Sequence, residues 1–430
     1  MSDRFVLFAL ARPRATWLDR FVQIAHSGAI PVEVRKAVGV VDLLAQLASG
    51  RPASAVLLDA GAPGTDRDII SRVHSSGAAV FVVTDPQVVH DWTALGADVM
   101  LTPAFTAYEL LDALTHSARS IARSTFPDEA AEIESLNDAT SRHGAFIGVL
   151  GAGGTGTSTV AIAAAQGLGS GAGRTGQVAL VDLCLRAEQS MLHDADPSSP
   201  GILELIDYCR LGSPDPDTVR EHLTVIHKRG YDLLPGLRRR RLWTQLRPAS
   251  TSSALSALRR AYDVVVADLD SDLEGEVQSG SMDLEERNQL TRLAVTQTDV
   301  TLVVGHASMK GIHSLTRLLR DLVDLGVAPS TLQPVFNHAP ASPRSRSGYT
   351  AALGELTAGV GLSSTPIFLP TKDIDDRLRA LVPFPASIVE PIAGALMARL
   401  KLQTMAPASA AQTTPRVIRP GFLRRDAQAS

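Results

Sequence analysis

The segment Gly151-Ala152-Gly153-Gly154-Thr155-Gly156-Thr157-Ser158 has the spacing of a phosphate-binding loop without its lysine. Gly151, Gly153, Gly154 and Gly156 let successive backbone N–H groups turn inward around phosphate oxygens. A helix opening at Thr159 adds the favourable charge of its N-terminus. The full pattern, G-x-x-x-x-G-K-[ST], places lysine before its last residue, where the ammonium reaches the β- and γ-phosphates. Thr157 stands at that position, with Ser158 after it to offer a hydroxyl to Mg2+. Thr155, Thr157, Ser158 and Thr159 complete the set of residues expected around a phosphate. Two aspartates at predicted strand ends, Asp182 and Asp268, are the candidates for catalysis and, with Ser158, for holding Mg2+ through hard oxygen ligands. Cys184 lies beside Asp182 and is a poor ligand for that ion.

The same glycines also satisfy G-x-G-x-x-G, the dinucleotide fingerprint, so an NAD(P)-binding oxidoreductase is an alternative. That site needs an acidic residue about 20 positions further on to grip the ribose. Asp182 ends the second strand but lies farther along, behind a glycine-rich spacer at 167–176.

These residues need strands to carry them. Two regions alternate short apolar strands with helical stretches, which predicts an α/β protein of two doubly wound parallel-sheet domains. In the first, 1–123, strands are expected at 5–11, 31–34, 55–61, 79–85 and 98–103, with an amphipathic helix at 17–26. An acidic linker occupies 124–143. In the second, 144–403, strands are expected at 145–150, 178–182, 223–226, 264–268, 301–305 and 333–337, and the loop helix at 159–168. A polar, acidic insertion spans 271–286, and the tail 404–430, rich in Ala, Pro, Thr and Arg, is expected to be disordered.

The length of 430 residues fits two folded domains, and the net charge of −4 gives no overall pull toward nucleic acid or anionic lipid. The only lysines are Lys36, Lys228, Lys310, Lys372 and Lys401, which leaves few replacements for a missing loop cation. Arg174, in the glycine-rich spacer, is one candidate. Cys184 and Cys209 are the only cysteines, which implies a reducing compartment and no disulfide framework. No apolar run approaches the ~20 residues of a membrane span. Arg238-Arg239-Arg240-Arg241, after a strand-end loop at 233–236, offers contact to DNA phosphates, acidic lipid or an acidic partner, or balances the acidic insertion. The arginines of 416–425 offer similar weak contact with DNA or membrane, although Pro420 and Gly421 break any helix there. His306 and His313 have no carboxylates at metal spacing and receive no role.

The second region resembles the MinD/ParA superfamily of dimerising P-loop ATPases. The family loop K-G-G-x-G-K-[ST] matches Ala152 to Ser158 with both lysines replaced, by Ala152 and Thr157. A switch strand ending D-x-D is matched by Asp182-Leu183-Cys184, and the Walker B strand by Tyr262-Asp263-Val264-Val265-Val266-Ala267-Asp268. A strand ending in an adenine-reading asparagine is matched by Val335-Phe336-Asn337. Leu369-Pro370-Thr371-Lys372-Asp373 is similar to the segment that lines the base side. The resemblance implies ATP or ADP with Mg2+, a homodimer, and hydrolysis that is weak or absent. Each lost buried cationic donor costs about 2–4 kcal/mol in the transition state.

The first region resembles a response-regulator receiver, with Asp59, Thr84 and Pro103 in matching places. Ala9, Leu10 and Ala11 replace the acidic pair, and Thr102 the lysine, which implies a degenerate domain used for docking or dimerisation. A pseudo-receiver followed by a MinD-like domain resembles the CpaE/TadZ proteins of Flp-type pilus assembly and actinobacterial septum-site-determining proteins. That implies a positional or scaffolding protein serving a secretion, pilus or division machine. It also implies a cytoplasmic location with recruitment to the inner face of the membrane or to a pole.

Overall fold

The central apolar runs of both regions, at 5–10, 55–59, 79–83, 178–182 and 264–268, are strands buried on both faces, which is why they read as continuous rather than alternating. The computed structural model describes residues 4–12, 15–26, 30–48, 52–85, 87–88, 90–120, 143–170 and 177–405. Most of the linker, Arg174, the tail from 406 and the arginines of 416–425 lie outside the described residues.

In the first region β1 (Phe5–Leu10), β2 (Val32–Ala37), β3 (Ala55–Asp59), β4 (Ala79–Val83) and β5 (Val99–Leu101) form a parallel sheet in the order β2-β1-β3-β4-β5. Helices Val40–Ala48 and Arg67–Ser75 cover one face; Thr16–His26 and Ala107–Ser117 cover the other. The chain leaves β1 toward β2 and later returns to place β3 on the other side. A crevice therefore opens beyond the carboxyl ends of β1 and β3.

The second sheet contains β6 (Ala145–Gly151), β7 (Val178–Asp182), β8 (Thr224–Ile226), β9 (Tyr231–Leu234), β10 (Val264–Asp268), β11 (Val300–His306), β12 (Leu332–Ala339) and β13 (Ile367–Pro370). Its order is β13-β12-β11-β6-β10-β7-β9-β8, parallel except that β8 runs antiparallel to β9. Helices Thr157–Ser170 and Ala386–Met405 cover one face, and the helices that include Ile202–Leu211, Pro248–Ala261 and Met309–Asp324 cover the other. Ala161 to Ala165 are all buried, so the loop helix lies flat on the sheet; bulkier side chains would lift it and the loop it begins from.

The doubly wound α/β architecture follows the sequence expectation. Four details depart from it. Two strands fall outside the expected set, β9 and β13, both short, with Pro235 directly after β9 and Pro370 at the end of β13. Leu233 and Leu234, assigned above to a strand-end loop, belong to β9. The edge hairpin of β8 and β9 introduces an antiparallel pair where parallel strands alone were expected. The acidic insertion is also less irregular than its composition implies, because helix Glu276–Ser279 and the start of Met282–Val295 fall within it.

The helix Arg67–Ser75 docks the first domain on the second. Arg67 donates from Nε to the Cys209 carbonyl at 3.0 Å and from its terminal nitrogen to Ser213 Oγ at 3.0 Å. Asp68 accepts the N–H groups of Ala249 and Ser250, at 3.1 and 3.4 Å, and the Ser250 hydroxyl. A carboxylate from one domain thereby caps a helix of the other, satisfying N–H groups that helix Pro248–Ala261 cannot bond internally.

Candidate functional site

Strand succession brings the candidate residues together. The chain passes from β6 to β7 on one side, returns to insert β10 between them, then crosses to β11 on the other side of β6. The crevice of such a sheet lies at the carboxyl end of β6, where the glycine loop begins.

The loop holds its shape through its own hydroxyls and one brace. Thr155 Oγ1 donates to the Ala152 carbonyl at 2.7 Å and lies 3.1 Å from Thr157 Oγ1. Asn337 Nδ2, from β12, donates to the Thr155 carbonyl at 2.9 Å. Gly156 has φ +84°, and a Cβ there would lie 2.5 Å from Asn337 Nδ2, so both the turn and the brace require glycine. Among the described residues, the N–H groups of Gly153, Gly154 and Gly156 have no protein acceptor. Gly153 and Gly154 are exposed, and Ser158 and Thr159 lie half-buried on the first helical turn. These donors are available to an anion.

Behind the loop stand Asp182 and Asp268, register partners at the ends of adjacent parallel strands, with 0% and 2% exposure. Asp182 accepts from the N–H groups of Cys184 (3.1 Å) and Gln189 (2.9 Å). Asp268 accepts from Gln189 Nε2 at 2.7 Å and from the Ser158 hydroxyl. Burial, then the neighbouring Asp268, pushes Asp182 up to about 8; burial likewise pushes Asp268 up to about 6 against the donors Ser158 and Gln189. The two carboxylates share one charge problem, and no arginine or lysine is paired with either among the described residues. Among the described residues, Asp268 Oδ1 and Gln189 Oε1 are buried without a hydrogen-bond partner.

Those two orphaned atoms test the fit of a divalent cation. A carboxylate pair, a serine hydroxyl and an unpartnered buried oxygen are donors such an ion satisfies, and its charge offsets the burial and like charge that raise both carboxylates. Ser158, Asp182 and Asp268 would hold it. The free loop N–H groups, with the Thr157 and Thr159 positions beside them, would hold phosphate.

Asn337 Oδ1 accepts the His338 N–H at 2.9 Å while its Nδ2 braces the loop, which leaves one amide proton and one carbonyl lone pair for a base edge. Thr371, Lys372 and Asp373 are exposed beyond β13. Arg238 pairs with Glu204 at 3.1 Å and donates to the Ser199 carbonyl at 2.9 Å. Its fixed partner is thus Glu204 and not the acidic insertion, while Arg239 to Arg241 are exposed. The dinucleotide alternative fails on strand order. A ribose-gripping acid belongs on the strand next to the loop strand, whereas β10 separates β6 from β7 and turns Asp182 toward Asp268.

Sequence reasoning missed two residues here. Gln189 bridges both aspartates from the short helix Gln189–Leu192, and nothing in its local sequence marks it. Asp270 accepts the Leu185 N–H at 2.6 Å, and burial holds it above the usual carboxylate range. Its alternate spacing after Asp268 was the available signal. Beside the loop, Ala152, Asp272, Glu274, Arg317, Asp321 and Asp324 help line a cleft of about 500 Å3.

No protein-family model and no curated protein matches the chain. Among solved structures it is similar to a ParA family ATPase from Chlorobium tepidum, at 14% identity and a TM-score of 0.46, covering 60% of this chain and 99% of that one. It is similar to the cell division ATPase MinD of Pyrococcus furiosus, at 16% identity and a TM-score of 0.44, covering 60% and 99%. A plasmid partition protein of Borrelia burgdorferi bound to AMPPNP gives 16% identity and a TM-score of 0.43, again over 60% and 99%. Among the described residues, no helix is long and apolar enough to cross a membrane.

Proposed function

We propose that this protein is a positional or scaffolding factor of the CpaE/TadZ type: a pseudo-receiver joined to a degenerate MinD/ParA-like nucleotide domain. It binds ATP or ADP with a divalent cation, hydrolyses ATP weakly or not at all, and acts as a homodimer that recruits a pilus, secretion or division machine at the inner membrane face or a pole. One observation carries the nucleotide reading: the loop N–H groups of Gly153, Gly154 and Gly156 have no protein acceptor among the described residues, and a buried carboxylate pair without a cationic partner there stands behind them. The weak hydrolysis follows from Ala152 and Thr157, which bring no charge to the γ-phosphate, where neutralisation does most of the catalysis.

A thermal-shift panel of ATP, ADP, GTP and NAD(P) with Mg2+, run beside steady-state phosphate release, tests it. Stabilisation by ATP or ADP with negligible release is expected, and Thr157→Lys should raise the ATP-induced shift. Indifference to every nucleotide sinks the reading. Release at about 1 per second or faster, within the ordinary enzyme range, sinks the claim of weak catalysis.

A second reading, an ATPase completed by a partner's cation, is favoured by the acid-lined cleft that reaches Ala152. Its mark is phosphate release that appears only when a partner machine component is added.

A further inference from the structure

The cluster at the ends of β7 and β10 contains an atom that magnesium does not prefer. Cys184 Sγ, one oxygen of Asp182 and one of Asp268 all lie within 4.8 Å of one another. Mg2+ takes oxygen ligands in near-ideal octahedra, whereas thiolate selects zinc and similarly soft cations. The setting is built for positive charge. The charges acting on the two carboxylates come from each other, Asp270 and Glu188, all negative. Among the described residues, Asp268 Oδ1, on a residue 2% exposed, has no hydrogen-bond partner, and neither has Gln189 Oε1 on a fully buried side chain. Gln189 fixes the ligands from behind, donating its N–H to Asp182 and its Nε2 to Asp268, the kind of outer contact that orients metal ligands. Cys184 is the smaller partner of this arrangement, half-buried and free.

We propose that Asp182, Cys184 and Asp268 bind a thiophilic divalent cation, zinc or a zinc-like ion, in preference to magnesium. Three protein ligands leave the fourth tetrahedral position for the Ser158 hydroxyl, a water or a phosphate oxygen, the arrangement of an open rather than a closed zinc site. On binding, the Cys184 thiol releases its proton to solvent as the metal–sulfur bond forms, so uptake strengthens as pH rises. The inference rests on reading these strand ends as the cation side of the cradle, but the ion needs no nucleotide to bind.

Cobalt(II), added to the metal-free full-length chain without nucleotide, reports directly on sulfur ligation. One equivalent should produce a sulfur-to-cobalt charge-transfer band in the near ultraviolet, removed by zinc and retained in excess magnesium. Cys184→Ser should lose the band. Cys184→Asp should still bind a divalent cation, with the preference for zinc over magnesium lost. Cobalt binding without the band, a band that survives Cys184→Ser, or displacement by magnesium overturns the proposal. An ATP thermal shift measured on the same sample separates the two readings. A shift without the band ends this inference alone, and a band without any shift ends the nucleotide reading alone.

Discussion

Asp59 and Asp85 close the strand ends of the first sheet around a guanidinium; Asp182 and Asp268 close those of the second with no arginine or lysine beside them among the described residues. Both pairs lie where the order of strands opens a crevice. In the first, Arg12, just beyond β1, reaches Asp85 at 2.5 Å and Asp59 at 3.5 Å. The Trp17 indole donates to Asp59 at 3.1 Å, and the N–H groups of Arg12 and Gly61 complete its shell. The Gln87 N–H, then Arg12, hold Asp85 below the usual carboxylate range. In the second, burial and like charge push both aspartates up. The first crevice pairs its acids with an arginine of its own, and in the second no arginine or lysine among the described residues pairs with either acid.

The largest expected effect is on pH-dependent stability. The unfolded chain releases the Asp182 proton near the ordinary value of 3.8, while the folded chain keeps it to about 8. Between those values the unfolded state binds fewer protons, so stability falls as pH rises from about 4 to about 8 and levels off above. Each pKa unit of separation is worth about 1.4 kcal/mol, which makes the fall several kcal/mol in cation-free protein. Asp182→Asn should flatten it, as should a bound cation; denaturant melts across that pH range measure both. A flat profile in the cation-free wild type would mean that the second pair is as well compensated as the first.

Arg12→Ala asks the reverse question of the first pair. It leaves buried Asp59 without its charged partner, a loss of about 1–3 kcal/mol, held to the lower end because Arg12 is itself 42% exposed. The loss should persist with and without nucleotide in equilibrium unfolding. A variant as stable as wild type would show that Arg12 is ornamental to the first crevice. The smallest effect belongs to Gln189→Leu, which deletes one donor to Asp268 and should cost about 0.5–1.5 kcal/mol. It should also steepen the decline with pH, because Asp268 loses a group that favours its ionised form. An unchanged slope would remove Gln189 from the site.

The parts that were legible in the sequence were those fixed by local chemistry. The β6 run, the glycine loop and the helix after it occupy nearly the expected residues, because apolar runs, left-handed turns and alanine-rich helices are determined by near neighbours. Asp182 and Asp268 were recognisable as strand-end acids for the same reason. Arg12 was not, since its importance depends on β3 and β4 bringing Asp59 and Asp85 beside the end of β1. Gln189 was equally hidden: a glutamine in a four-residue helix looks like surface until folding encloses it between two carboxylates.

By itself, the sequence determined which segments become strands, where the phosphate-type loop lies, and that its lysines are gone, all properties written within a few residues of one another. Only the tertiary structure decided which charges meet. Placing β10 between β6 and β7 joined Asp182 to Asp268 with no arginine or lysine partner among the described residues, while β1 beside β3 gave Asp59 its arginine. The cost of a buried charge depends on what stands a few ångströms away in space, and spacing along the chain does not encode that distance.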